Sequence, residues 1–211
     1  MKRRVKLLLV MSCLLLCIGI GLRVFEVNKN QLSLPTKHYK MGEWVDIGNT
    51  HLYDIEEYRQ GYSVRVSSAE IMSSTEYITR YGRSEHASND EGIPGDVLVL
   101  EYEIKNVGNS NGYIDAVTQW AIGTAKNYYL HIDTDLWSTR DIVMKKSPVI
   151  HIKPHTEFST YIPLANTYEP FGKPMDIQNQ CRHHLKEKKY ELIVANGPIR
   201  QIIDIEVPEH N

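Results

Sequence analysis

With 211 residues, 42% of them hydrophobic and 24% charged, the chain has room for one ordinary core and an appendage, but not for two large domains, and its composition is not that of a disordered or fibrous protein. Five of the 24 Lys and Arg residues and none of the 26 acidic residues lie in positions 1–25, so the remainder carries a net charge of −7. A surface of that sign does not suit phosphate backbones, whose recognition needs clustered positive charge, and nucleic acid is not an expected partner.

The chain opens with Lys2, Arg3, Arg4 and Lys6, followed by an apolar run from Leu7 to Leu22. A basic leader before such a run is an export segment. Val24 and Phe25 extend it beyond Arg23, towards the roughly 17 to 25 residues that span a bilayer. No alanine-rich cleavage site follows, so residues 1–25 are expected to form an uncleaved signal anchor, with a cleaved signal peptide and secretion as the alternative. The positive charge ahead of the run directs the N-terminus inward and the rest outward. The expectation is a single-pass protein of the cell membrane with an extracellular C-terminal domain.

Residues 26–42 are polar, aperiodic and contain Pro35, which reads as a tether. From Glu43 onward the hydrophobic period is two. In GYSVRVSS, Tyr62, Val64 and Val66 alternate with Ser63, Arg65 and Ser67; in DVLVLEYEIKNVG, Leu98, Leu100, Tyr102 and Ile104 share a face while Val97 and Val99 make the other face apolar too, the mark of a central strand. GYIDAVTQWAIG reads as one strand carrying Ile114, Ala116, Trp120 and Ile122 on one side, and NYYLHID follows with Tyr128, Leu130 and Ile132. SPVIHIKP and TEFSTYIPL are further short strands, with Pro163 near an end or edge. The last pair, Tyr190 to Val207 around Asn196-Gly197-Pro198, reads as a hairpin in which Asn-Gly supplies positive backbone angles.

Helix signals are weak. EIMSSTEYITRYG from Glu70 reads as a strand entering a loop, residues 168–187 have room for a turn or two of helix, and Ser84 to Gly95 form an exposed loop. Seven or eight strands in residues 43–211 predict an all-β domain, an antiparallel immunoglobulin-like sandwich. The layout of basic leader, apolar segment, tether, GYSVRV, VLVLEYEIKNVGNSNGY and closing hairpin resembles the immunoglobulin-like, telokin-like exported domains of unknown function of Gram-positive bacteria. Leu98 to Gly112 carries most of that likeness. The resemblance implies a surface-anchored binding or accessory module with no catalytic residues to carry over.

The chain holds no HExxH, GxSxG, glycine-rich phosphate loop or CxxC pair, so no enzymatic reading and no cofactor is expected. Cys13 and Cys17 lie in the apolar run and leave Cys181 alone in the body. Asp133-Thr134-Asp135 and Asn89 to Gly92 are acidic turns with too few oxygens for a calcium loop. The weak metal candidates are the late cluster Cys181, His183 and His184, and the pair His151 and His155. Thiolate and imidazole suit zinc or copper, but three adjacent residues need a distant fourth ligand, so this reading requires the two histidine-bearing loops to meet. The expected function is therefore a non-catalytic, membrane-anchored extracytoplasmic module that binds the bilayer through its helix and another cell-envelope protein through its body. Trp137, Tyr129 and Tyr161 are its candidate contact residues. A metal-handling or sensory ectodomain built on the Cys/His cluster is the alternative.

Overall fold

The computed structural model describes residues 2–29, 34–52, 59–83, 95–111, 113–115, 119–123, 129–140, 149–168, 181–182 and 184–208. They divide into two compact units, Met1–Leu34 and Pro35–Asn211. The first is one helix, α1 (Lys2–Lys29), whose side chains are described over residues 11–26 and are exposed throughout. Among the described residues no helix is long and apolar enough to cross a membrane.

The second unit is mostly β. Its strands are β1 (Thr36–Lys40), β2 (Val45–Asp46), β3 (Tyr62–Ser73), β4 (Asp96–Asn106), β5 (Ile114–Asp115), β6 (Trp120–Gly123), β7 (Tyr129–Ile132), β8 (Val149–Ile150), β9 (Thr156–Ala165), β10 (Thr167–Tyr168), β11 (Cys181–Arg182), β12 (Lys189–Ala195) and β13 (Arg200–Glu206), with helices α2 (Ser74–Tyr81) and α3 (Thr134–Ser138) between them. Nine strands form one sheet in the order β1-β13-β12-β6-β7-β9-β4-β3-β2; β10 with β11 and β5 with β8 form small separate ladders. The expected antiparallel sandwich of two facing sheets is thus replaced by one mixed sheet, because β1 runs parallel to β13. β1 lies where the sequence suggested a tether.

The sheet curls so that its outer strands approach each other. The Gly42 amide just after β1, at φ +86°, donates to the Val66 carbonyl of β3 (2.8 Å), and the Gln201 side chain of β13 donates to the Asp46 carbonyl of β2 (2.9 Å). The barrel-like interior is filled by the inward residues of every long strand, among them Val64, Val66, Leu100, Tyr102, Ile104, Leu130, Ile162, Leu192, Ile203 and Ile205. Each such fully buried apolar side chain contributes roughly 1.5 to 3 kcal/mol.

Local chemistry explains the departures from simple alternation. A bulge between Val66 and Ser68 shifts the parity of β3, so that Ala69 continues the inward face after Val66. The far end of β3 passes into α2, where the Ser73 hydroxyl accepts from the Glu76 amide (3.1 Å) as N-cap. Ser73-Ser74-Thr75-Glu76 has the sequence pattern of a capping box, a signal the strand reading passed over. α2 lays Tyr77 over Val97 and Val99, making a second small core with Met72, Leu136 and Ala165. β4 is therefore covered on both faces at its start, as its doubled apolar pattern indicated.

GYIDAVTQWAIG does not form one strand. β5 and β6 belong to different ladders, so the register carried across them is lost: Ala121 faces the main core, and Trp120 and Ile122 lie outside against Leu52, Ile193 and Ile202. The β12–β13 hairpin forms as expected, with a bulge between Ile193 and Ala195. Its turn is made differently: the Gly197–Pro198 peptide is cis, and neither Asn196 nor Gly197 has positive φ. Glycine at 197 is required for space, since a Cβ there would lie 2.8 Å from the His51 ring. The His51 carbonyl also accepts from the amides of Asn196 and Gly197 (2.8 and 3.1 Å).

The segment KNVGNSNG is organised by one side chain. Asn106 is fully buried; its Oδ1 accepts from the amides of Gly108 (3.1 Å) and Asn109 (2.7 Å), and its Nδ2 donates to the carbonyls of Asn109 (2.7 Å) and Ile152 (2.8 Å). Asn106→Ala strands four polar groups, and we expect it to lower unfolding free energy by about 2 to 4 kcal/mol in urea titration. A loss under about 0.5 kcal/mol would mean that water replaces the side chain and the loop does not depend on it.

Candidate functional site

The two histidine loops sit at opposite ends of β4. At its C-terminal end, the His155 amide donates to the Asn106 carbonyl (2.8 Å); His155 has φ +60°. His151 lies exposed one residue before Ile152, 5.5 Å from the Tyr113 ring. At the other end, Asp96 Oδ2 accepts from the Leu185 amide (3.0 Å) and lies 3.3 Å from His184 Nδ1. Ten residue steps of extended chain separate Asp96 from Asn106, about 33 Å along the strand. His184 cannot share an ion with His151 or His155. Cys181 is placed only as a backbone partner of Tyr168, and His183 lies outside the described residues.

The other sequence candidates resolve into structural roles or surface. Asp133 is the N-cap of α3, its carboxylate accepting from the Leu136 amide (2.9 Å). Asn89 to Gly92 lie outside the described residues. Trp137, read as a contact residue, is fully buried with its indole N–H donating to Thr160 Oγ1 (3.2 Å). Tyr129 is half exposed. Tyr161 is partly buried and stacks on Tyr81 with ring centroids 4.2 Å apart; the Arg140 guanidinium lies 5.0 Å from the Tyr161 centroid.

The outer face of β3, β4 and β9 carries cross-strand charge pairs. Arg65 and Glu103 are direct partners joined at 2.5 Å, and Lys105 and Glu157 are partners joined at 3.0 Å. Arg65 and Lys105 both lie over the Trp44 ring, at 4.5 and 5.7 Å from its centroid. Such pairs fix strand register and leave an aromatic face decked with cations. The hydrogen bond from Arg65 holds the Glu103 carboxyl below its ordinary value of 4.5.

A grouping absent from the sequence reading lies on β1, β13 and β12. His38 Nδ1 is 2.9 Å from Asp204 Oδ1, Glu191 is the direct cross-strand partner of Asp204, and one ligand atom from each of the three lies within 4.8 Å of the others. Asp204 and Glu191 alternate with the apolar residues of the final hairpin. His38 was hidden because residues 36–40 read as a tether and nothing local marks a strand that pairs with residues more than 160 positions later.

Residues 36–201, most of the β unit from the first residue of β1 to the second of β13, match the DUF5028 family, a domain of unknown function. The chain belongs to this family. No curated protein and no solved structure matches it detectably. The DUF5028 region includes His38 and Glu191 and stops three residues short of Asp204.

The depressed Glu103 fixes the sign of a pH effect. Its pair with Arg65 contributes stability above the unfolded value near 4.5 and loses it as pH falls through the folded value. Glu103→Gln is expected to lower the urea midpoint at about pH 7, with the gap to the wild type narrowing as pH falls below about 4.5 and closing once pH is below the folded value. A gap that stays constant as pH falls through this range would assign the effect of Gln to packing instead.

Proposed function

We propose that this protein is a membrane-anchored, non-catalytic module of the Gram-positive cell envelope, with α1 in the bilayer and the DUF5028 unit outside, binding another envelope component. The observation that carries this reading is the exposure of α1: Met11, Leu14, Leu15, Leu16, Ile18, Ile20, Leu22, Val24 and Phe25 are each more than half exposed. Apolar surface on every side of a helix calls for an apolar medium. The described side chains of α1, residues 11–26, cover less than a full span; in sequence the apolar run extends from Leu7 to Phe25 with one cation, Arg23, and a helix of that run is about 28 Å long, close to the roughly 30 Å of a hydrocarbon core. The cations ahead of Leu7 favour an inward N-terminus.

A binding rather than catalytic role is supported by where titration is most displaced. Tyr77 and Tyr102 have their phenols pushed up, in each case chiefly by burial. Tyr77 donates to the Tyr161 carbonyl (2.8 Å) and Tyr102 accepts from Gln119 (2.8 Å). Those are the marks of core packing, not of an activated nucleophile. The surface offers Tyr81, Tyr161 and Arg140, residue types favoured at protein interfaces.

The full chain expressed in its host is expected to stay in the membrane fraction after carbonate washing, while protease added to intact cells digests the body. Crosslinking on the same cells then yields a defined envelope partner. Release by carbonate, or a body protected until lysis, would contradict this placement.

A further inference from the structure

We infer that His38, Glu191 and Asp204 form a binding site for a divalent first-row metal ion, of which Zn²⁺ is the best-fitting example, on the outer face of the sheet. The three side chains come from three neighbouring strands of one hydrogen-bonded ladder. Asp204 and Glu191 face each other directly across β13 and β12, and in the parallel pairing of β1 with β13 His38 stands beside Ile202, two residues from Asp204 on the same face. Their positions are set by backbone pairing rather than by a loop, which is what a preorganised ligand set requires.

The electrostatics point to a cation. Glu191 and Asp204 stand directly opposite on antiparallel strands, where like charges repel; Lys40, the parallel partner of Asp204, offsets part of that charge from one side, and an ion held with His38 offsets the rest. Lys189 lies 3.7 Å from Glu206, another carboxylate on β13. His38 meets Asp204 at hydrogen-bond distance, so an ion between them takes the place of the shared proton and reaches the second carboxylate as well. A depression lined by Lys40, Met41, Lys189 and Tyr190 opens beside Glu191 and Asp204, leaving room for water to complete the coordination.

The geometry needs little adjustment. Bonds of about 2.1 Å to a tetrahedral ion place ligand atoms about 3.4 Å apart. Here they lie within 4.8 Å of one another, with His38 and Asp204 exposed and Glu191 half-buried, so rotation about their side-chain bonds is the adjustment that the set requires. One imidazole with two carboxylates suits zinc or manganese better than calcium, which takes six to eight oxygens. Three protein ligands and open positions leave the ion able to bind a further ligand, such as a carboxylate of a partner.

The test uses the full chain in detergent, stripped with EDTA and titrated with Zn²⁺ by calorimetry, beside Asp204→Asn, Glu191→Gln, His38→Gln, His184→Gln and Cys181→Ser. We expect one Zn²⁺ per chain, affinity reduced about tenfold or more by each of the first three substitutions, and no change with the last two. Ca²⁺ competes poorly. Unfolding curves of the apo variants that superimpose on the wild type confirm that these exposed substitutions leave the fold intact. Co²⁺ gives a second readout: its spectrum should lack a thiolate charge-transfer band. Absence of stoichiometric uptake, uptake insensitive to Asp204→Asn, or a thiolate band lost in Cys181→Ser would overturn the proposal.

Discussion

The pairing of β1 with β13 is the contact on which the rest of the β unit depends. A curled sheet of eight strands would leave β13 as a long unpaired edge, a template for association with other chains. β1 covers that edge over five residues, Thr36 to Lys40 against Arg200 to Asp204, and the turn after it ties to β3 through Gly42. The two margins of the sheet thereby enclose one core. The cost is the closure entropy of a contact between chain segments more than 160 residues apart.

Closure also decides which surface groups meet. β4, flanked by β3 and β9, acts as a ruler: it holds the His155 turn at one end and the His184 loop at the other, and the distance between them separates residues that composition alone had grouped. β1 does the opposite, bringing a histidine from the N-terminal end of the β unit beside two carboxylates of the C-terminal hairpin. On the outer faces, Arg65 with Glu103 and Lys105 with Glu157 meet because antiparallel register puts them opposite each other. These surfaces supply binding chemistry to the envelope role proposed for the DUF5028 unit.

Much of this was legible where the signal is local. Tyr62-Val64-Val66, the doubled apolar pattern at Val97 to Leu100, and Tyr190 to Val207 gave β3, β4 and the final hairpin, because burial of one or both faces writes itself into alternation. Parity failed where backbone irregularity intervened, at the break before Trp120. The parallel strand β1 could not be read, since TKHYK has little apolar alternation and its partner lies at the far end of the chain. Trp137 looked like surface because α3 is only five residues long, too short to show a periodic buried face. Whether the two histidine-bearing loops meet was not legible, because proximity in sequence says nothing about which end of a strand a loop joins.

Hydrogen exchange over residues 36–40 tests the closed-sheet account most directly. If β1 pairs with β13, the amides of this segment that bond to β13 are protected to the same order as those of β13 itself. Free exchange at the rate of an unstructured tether, with β13 still protected through β12, would contradict it.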